Sequence, residues 1–320
     1  MKRLGAAVLA CLAFIPITAA AGGPKVNDTL IDGFEEGRFS KQGGLYYKDN
    51  YEQSAGKVEF QSKVVHTGKM ALRLSVKPLC AIGDDACSER AEIWEKTKLR
   101  VPYTQGVWYG FAVKFEDPIP RDDHRYLIAQ WKREIDPGAD GDFSPFLALR
   151  VYNGKLFATV ETNLVKATSE GEPGKTATCA QGETPVWLRP ETRQTRALVA
   201  TDAFFKPEDG GLFHACTTAI TITDRGNKLP APDSGWIDFA IYTRPGPDGT
   251  GRIEIFANDK WIVTVAGMIG HGDRGLGKNQ YFKFGPYRAG AQNFWALYYD
   301  DFRRSPDCDK VLKADFCPAP

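Results

Sequence analysis

From residue 57 to residue 303 the chain is cut into short runs whose apolar residues recur at every second position. No long stretch carries the period of a helix. Examples are 70–77 (MALRLSVK), 108–115 (WYGFAVKF), 126–134 (YLIAQWKRE), 280–290 (QYFKFGPYRAG) and 296–303 (ALYYDDFR). A period of two places one face of a strand in a core and the other in a polar setting. Asn153-Gly154 and Asn258-Asp259 stand between pairs of such runs and mark two-residue hairpins. The chain is 12% aromatic, with 32 Gly and 20 Pro, which suits short strands joined by tight turns. Roughly a dozen strands without crossover helices predict an antiparallel all-β sandwich or jelly roll in a single domain.

Residues 166–232 read differently, being rich in Thr, Gly, Pro and charge with little clean alternation. This predicts a long insertion with short elements, either a cover over a cleft or a surface decoration. At the other end, Lys2 and Arg3 precede an apolar run over 4–17, and small residues follow at 18–21. That is the form of a secretory signal peptide over 1–21, leaving 22–320 as the mature, periplasmic or secreted domain. Its loss leaves 39 of 41 basic residues against 40 acidic ones. Such balance argues against nucleic-acid or membrane-surface partners, and a monomer is expected. Cys80, Cys87, Cys179, Cys216, Cys308 and Cys317 then remain, an even count in an exported chain. Fifteen pairings are formally open. Proximity favours Cys80–Cys87 and Cys308–Cys317, which leaves Cys179–Cys216; the alternative is that some are free thiols.

Three runs have polar faces that match. In 280–290, Tyr281, Lys283, Gly285 and Tyr287 share one face, while Phe282 and Phe284 share the other. Arg90 and Glu92 share a face in SERAEIW, as do Gln130 and Lys132 in YLIAQWKRE. Residues two apart on a strand are separated by about 6.5–7 Å, so three such strands side by side would build one surface. It would carry Arg90, Glu92, Gln130, Lys132, Tyr281, Lys283 and Tyr287, with Arg288 at its edge. Cations, an amide and phenols suit an acidic sugar polymer better than a neutral one.

RAE within SERAEIWE, AQWK and YFKFGPY resemble the three signature strands of the jelly-roll polysaccharide lyases. In the alginate-lyase branch these read roughly R-S/T-E-x-R, Q-I/V-H and Y-F-K-A-G-x-Y. WYGFAVKF, GRIEIFANDKW and the closing YYDD strand are similar to elements of the glucuronan-lyase and heparin-lyase-like branches. The resemblance covers roughly 30–160 and 235–305. It implies a concanavalin-like jelly-roll β-sandwich that cleaves a uronic-acid polysaccharide by β-elimination. It also implies roles. Arg90 and Gln130 neutralise the substrate carboxylate. Glu92 orients Arg90 or holds a second donor, and Lys283 binds a neighbouring carboxylate. Tyr287 matches the catalytic tyrosine. Tyr281, Arg288 and His124 complete the expected substrate-binding set. Lys132 stands where the family motif has His. It serves as base only if burial or nearby cations lower its pKa. Otherwise it neutralises a carboxylate while Tyr287 makes both proton transfers, or His124, His214 or His271 folds over the site.

Two other classes compete. A glycoside hydrolase on the same sandwich needs two carboxylates flanking the bond, and no E-x-D-x-x-E run occurs. A non-catalytic carbohydrate-binding protein would use aromatics such as Tyr46, Trp94 or Trp187 as a platform. The plainest account of the three strands is a solvated face with cross-strand ion pairs. No cofactor is required by the lyase chemistry. Asp136, Asp140 and Asp142 could offer oxygen to calcium, but their spacing does not match an EF-hand, and a surface turn accounts for them.

Overall fold

The structure, a computed structural model, describes residues 23–48, 54–82, 84, 87–141 and 143–318. The leader read from the sequence lies outside them. In chain order, β1 (Leu30–Asp32), β2 (Leu45–Tyr47), β3 (Gly56–Gln61) and β4 (Ala71–Val76) come first. Residues 89–102 form a broken run. It comprises β5 (Glu89–Arg90), β6 (Ile93–Glu95) and β7 (Val101–Pro102), with a 3-10 turn at Thr97–Leu99. The longer β8 (Val107–Phe115), β9 (Tyr126–Ile135), β10 (Leu147–Tyr152) and β11 (Lys155–Asn163) follow.

The stretch 166–232 forms β12 (Ser169–Glu170), β13 (Thr184–Arg189), β14 (Gln194–Thr201), β15 (Ala215–Thr217) and β16 (Ile220–Asp224). It is neither a lid nor a loose decoration, because these strands lengthen both sheets at one edge. The chain closes with β17 (Trp236–Arg244), β18 (Gly246–Ala257), β19 (Lys260–Ile269), β20 (Leu276–Arg288) and β21 (Trp295–Ser305). Both expected hairpin turns form. Asn153 and Gly154 have φ of 47° and 71°, and Asn258 and Asp259 have 51° and 60°, the left-handed pairs that match strand twist.

The strands make a jelly-roll sandwich of two antiparallel sheets. One runs β16-β19-β18-β17-β8-β21-β4-β3, with β1 on β21. The other runs β12-β15-β13-β14-β11-β10-β9-β20-β6-β2, with β5 and β7 also on β20. Between them Phe111 of β8 meets Trp131 of β9 and Phe282 and Phe284 of β20, with ring centroids 5.5–6.5 Å apart. Each such buried side chain contributes about 1.5–3 kcal/mol.

Two buried ion pairs tie the short N-terminal strands to the last long ones. Glu95 holds Arg304 at 2.8 Å and accepts the Phe282 N–H at 2.6 Å, while Glu89 holds Arg288 at 2.6 Å. Disulfides join Cys80–Cys87, Cys179–Cys216 and Cys308–Cys317. Among the described residues, no helix is long and apolar enough to cross a membrane.

Candidate functional site

Register across β20 assembles the site. Lys283 lies across from Gln130, Tyr281 from Lys132 and Tyr287 from Leu127 on the β9 side. On the other side Tyr287 lies across from Arg90 of β5, and Lys283 from Trp94 of β6. Phe282 pairs with Trp131 and Phe284 with Ala129 on the core face. The three polar faces expected from alternation therefore meet on one surface. Between Phe284 and Tyr287 the register slips at Gly285, whose φ is 127°. A Cβ there would sit 2.1 Å from the Ala91 carbonyl oxygen, so only glycine lets β5 approach this closely.

Tyr287 is half-buried at the centre. The guanidinium of Arg90 lies 4.4 Å and that of Arg125 5.1 Å from its ring centroid, and Lys283 Nζ is 6.0 Å away. Its hydroxyl has no hydrogen-bond partner among the described residues. The Nε of Arg125 is buried and likewise unpartnered among them. Beneath the ring, Glu92 accepts hydrogen bonds from the Gln130 amide and, at 2.9 Å, from Lys283 Nζ. Arg90 stands 3.9 Å from the same carboxylate.

Depth corrects several sequence expectations. Glu92 is 1%, Gln130 2%, Lys283 3% and Tyr281 7% exposed, so these four, the expected carboxylate neutraliser Gln130 among them, lie beneath the polar face of the sheet rather than at its surface. Tyr281 stacks on Trp94 at 5.6 Å with Arg100 4.3 Å from its ring, and burial raises its pKa. Arg288, expected at the substrate edge, is instead fully buried and donates to Glu89 and to Asn293, bracing β20. His124 turns toward Asp123 and Asp122, at 3.5 and 4.0 Å, and it is the adjacent Arg125 that reaches Tyr287.

His271 is 2% exposed, and burial lowers its pKa. Its backbone N–H donates to the Tyr103 hydroxyl. His214 is half-buried just before β15. Lys132 is half-buried and five residues along β9 from the partner of Tyr287, roughly 17 Å at the backbone. Asp136 and Asp140 are exposed, Asp140 lies 3.7 Å from Arg193, and Asp142 is outside the described residues.

Sequence reasoning missed a second set on the same face. Arg150, 6% exposed, sits across from Leu127, and its Nε donates to Thr159 Oγ1 at 2.8 Å. Burial, and then the Arg196 charge, push its pKa well down. Glu161, 1% exposed, accepts from Arg189 at 3.1 Å and Arg196 at 2.7 Å. Burial alone would raise the Glu161 pKa, but the Arg196 charge and hydrogen bond, with Arg150 and Arg189, hold it below the usual carboxylate value. The signal was a lone charge in the apolar run LALRV, two residues before a recognised turn. A hollow of about 550 Å³ on the outer face of the other sheet, lined by residues including Trp108, Tyr242 and Arg252, shares no residue with this groove.

Residues 34–303 match the family model described as polysaccharide lyase. No curated protein sequence matches the chain. Among solved structures, an endo-β-1,4-glucuronan lyase from the fungus Trichoderma reesei is similar with a TM-score of 0.54 and 15% identity. That match covers 83% of this chain and 92% of that one. Cellulose induced protein Cip1 gives 0.47 and 15%, over 87% and 97%. The alginate lyase Aly36B gives 0.41 and 12%, over 88% and 97%. The first of these likenesses shows a shared fold.

Proposed function

The chain belongs to the polysaccharide lyase family, and from that premise we propose that it cleaves a uronic-acid-containing polysaccharide by β-elimination, with Tyr287 moving the protons. The observation that carries this reading is the surround of Tyr287, a half-buried phenol with the guanidiniums of Arg90 and Arg125 over its ring.

The C5 proton of a uronate is not acidic while its carboxylate is fully charged. Arg90 and Arg125 are the cations nearest the phenol, and a carboxylate bound there would satisfy the buried Arg125 Nε. Arg150, buried two strands over, supplies a third guanidinium whose charge an anion would stabilise. With the carboxylate neutralised, deprotonated Tyr287 takes the C5 proton. The C–H electrons form the C4–C5 double bond, the C4–O4 bond breaks, and the departing O4 takes the proton back from Tyr287. Glu92, Gln130 and Lys283 fix the floor under this centre. Lys132, displaced along β9, is assigned to a neighbouring carboxylate.

Three disulfides and the leader-like first residues support a periplasmic or secreted location. The test is a screen of uronate polymers for the ultraviolet absorbance of the unsaturated product. Tyr287→Phe is expected to lose about 10²–10⁴-fold in turnover with an unchanged circular dichroism spectrum. Binding of uronate polymers without any unsaturated product would replace the lyase reading with a binding protein. Full activity in Tyr287→Phe would move proton transfer to another group.

A further inference from the structure

The polar face does not stop near Tyr287. Pairing carries one row of side chains from Glu161 on β11 to Arg196 on β14 and Trp187 on β13. Glu161 is opposite Arg196, and Arg196 is opposite Trp187. The adjacent row, Trp131, Leu147, Val160, Ala197 and Val186, is the buried one, so the first row lies on the groove side. β13 is four strands from β9, or roughly 19 Å at the usual strand spacing.

Trp187 is half-exposed. The Arg189 guanidinium lies 4.9 Å and that of Arg196 5.3 Å from its ring. Both arginines are held from below by Glu161. With Arg150 close enough to act on Glu161, three guanidiniums stand against Glu161 and the exposed Glu191, which lies 3.8 Å from Arg189, leaving net positive charge beside an indole face. A uronosyl residue presents an apolar ring face and a carboxylate at its rim. An indole flanked by guanidinium forks complements both.

We propose that Trp187, Arg189 and Arg196 form a distal subsite that stacks and charge-matches one uronosyl residue several sugars from the scissile bond, because β13 lies five strands from β20 and a 1,4-linked pyranose advances by roughly one strand spacing. This rests on the lyase reading above. It gives the strands of 166–232 a task, to lengthen the groove, and it makes the enzyme favour long internal stretches of polymer.

The test compares tetrasaccharides with decasaccharides of polyglucuronate, polymannuronate and polygalacturonate. Trp187→Ala is the main variant, because removing Arg196 would strand buried Glu161 and endanger folding. For whichever substrate is cleaved, the ratio of kcat/KM on the decasaccharide to that on the tetrasaccharide is expected to fall about tenfold in Trp187→Ala. Trp187→Phe should recover most of it. An unchanged ratio overturns the distal subsite while leaving the lyase reading intact. Absence of cleavage by the unaltered enzyme on all three polymers removes the uronate reading and this inference together.

Discussion

Glu92 and Glu161 occupy matching positions at two ends of the groove. Each is 1% exposed, and each lies within 4 Å of a guanidinium that sits over an aromatic ring. Each carboxylate also gathers cations: Arg90 and Lys283 at Glu92, and Arg189 and Arg196, with the charge of Arg150, at Glu161. What differs is the ring. Tyr287 carries a hydroxyl that can exchange a proton, while Trp187 has only a weak donor and a large apolar face. A buried carboxylate is thus a general device for fixing cations in place, and the group above it decides whether the end reacts or only holds.

Removing each anchor probes this most strongly. Glu161→Ala takes the buried partner from Arg189 and Arg196 and is expected to cost about 3–5 kcal/mol in urea unfolding. Glu92→Gln keeps an acceptor for the Gln130 amide and should cost less stability, but it frees Lys283 and should depress turnover. If Glu161→Ala unfolds no earlier than the parent, the likeness between the two ends fails. A smaller effect separates Tyr287 from Lys132. Lys132→Met should lower kcat less than about tenfold, well short of the 10²–10⁴ expected for a proton-transfer group. A loss as large as that of Tyr287→Phe would make Lys132 the base.

The smallest effect concerns a buried carboxylate without a cation. Asp300 is fully buried and accepts hydrogen bonds only from backbone N–H groups of His66, Thr67 and Asp301 among the described residues. Burial pushes its pKa up to about 6 from 3.8. Its folded form therefore holds a proton that the unfolded chain has released between those values. Its contribution to stability is full below pH 3.8 and falls as pH rises to about 6. Glu161, held low by arginines, has the opposite sign, with stability present above its unfolded pKa and lost in acid. Asp300→Asn should flatten the decline between those pH values, read as thermal midpoint against pH. An unchanged slope would show that Asp300 does not titrate there.

Much of this arrangement was legible in the sequence. Alternation assigned Phe282, Phe284 and Trp131 to the core and put Arg90, Gln130 and Tyr287 on one face, and register did bring them together. Parity gives side but not depth. It could not show that Glu92, Lys283 and Tyr281 would be covered by Trp94, Arg90 and Arg100. For Arg288, parity was informative and went unused, because it follows Tyr287 and so shares the face of Phe284 rather than the groove. The Glu161 end was illegible for another reason. β13 and β14 are short and are joined through a 3-10 turn at Pro190–Thr192, which breaks the alternation before a period of two can register. Arg196 acquires meaning only from a partner on β11 that sequence separation hides.

The position of β20 between β9 and the short β5, β6 and β7 has a consequence in time. Glu92 and Lys283 are 191 residues apart, Glu89 and Arg288 199, and Glu95 and Arg304 209. The early strands have no stable place until those loops close, and the closure entropy comes before the reward. A nascent chain stopped short of β20 carries Arg90, Glu92 and Gln130 yet has neither the lysine that fixes Glu92 nor the phenol above it. This polar face comes into being only as the last strands of the molecule dock, so a partly made copy lacks the proposed site.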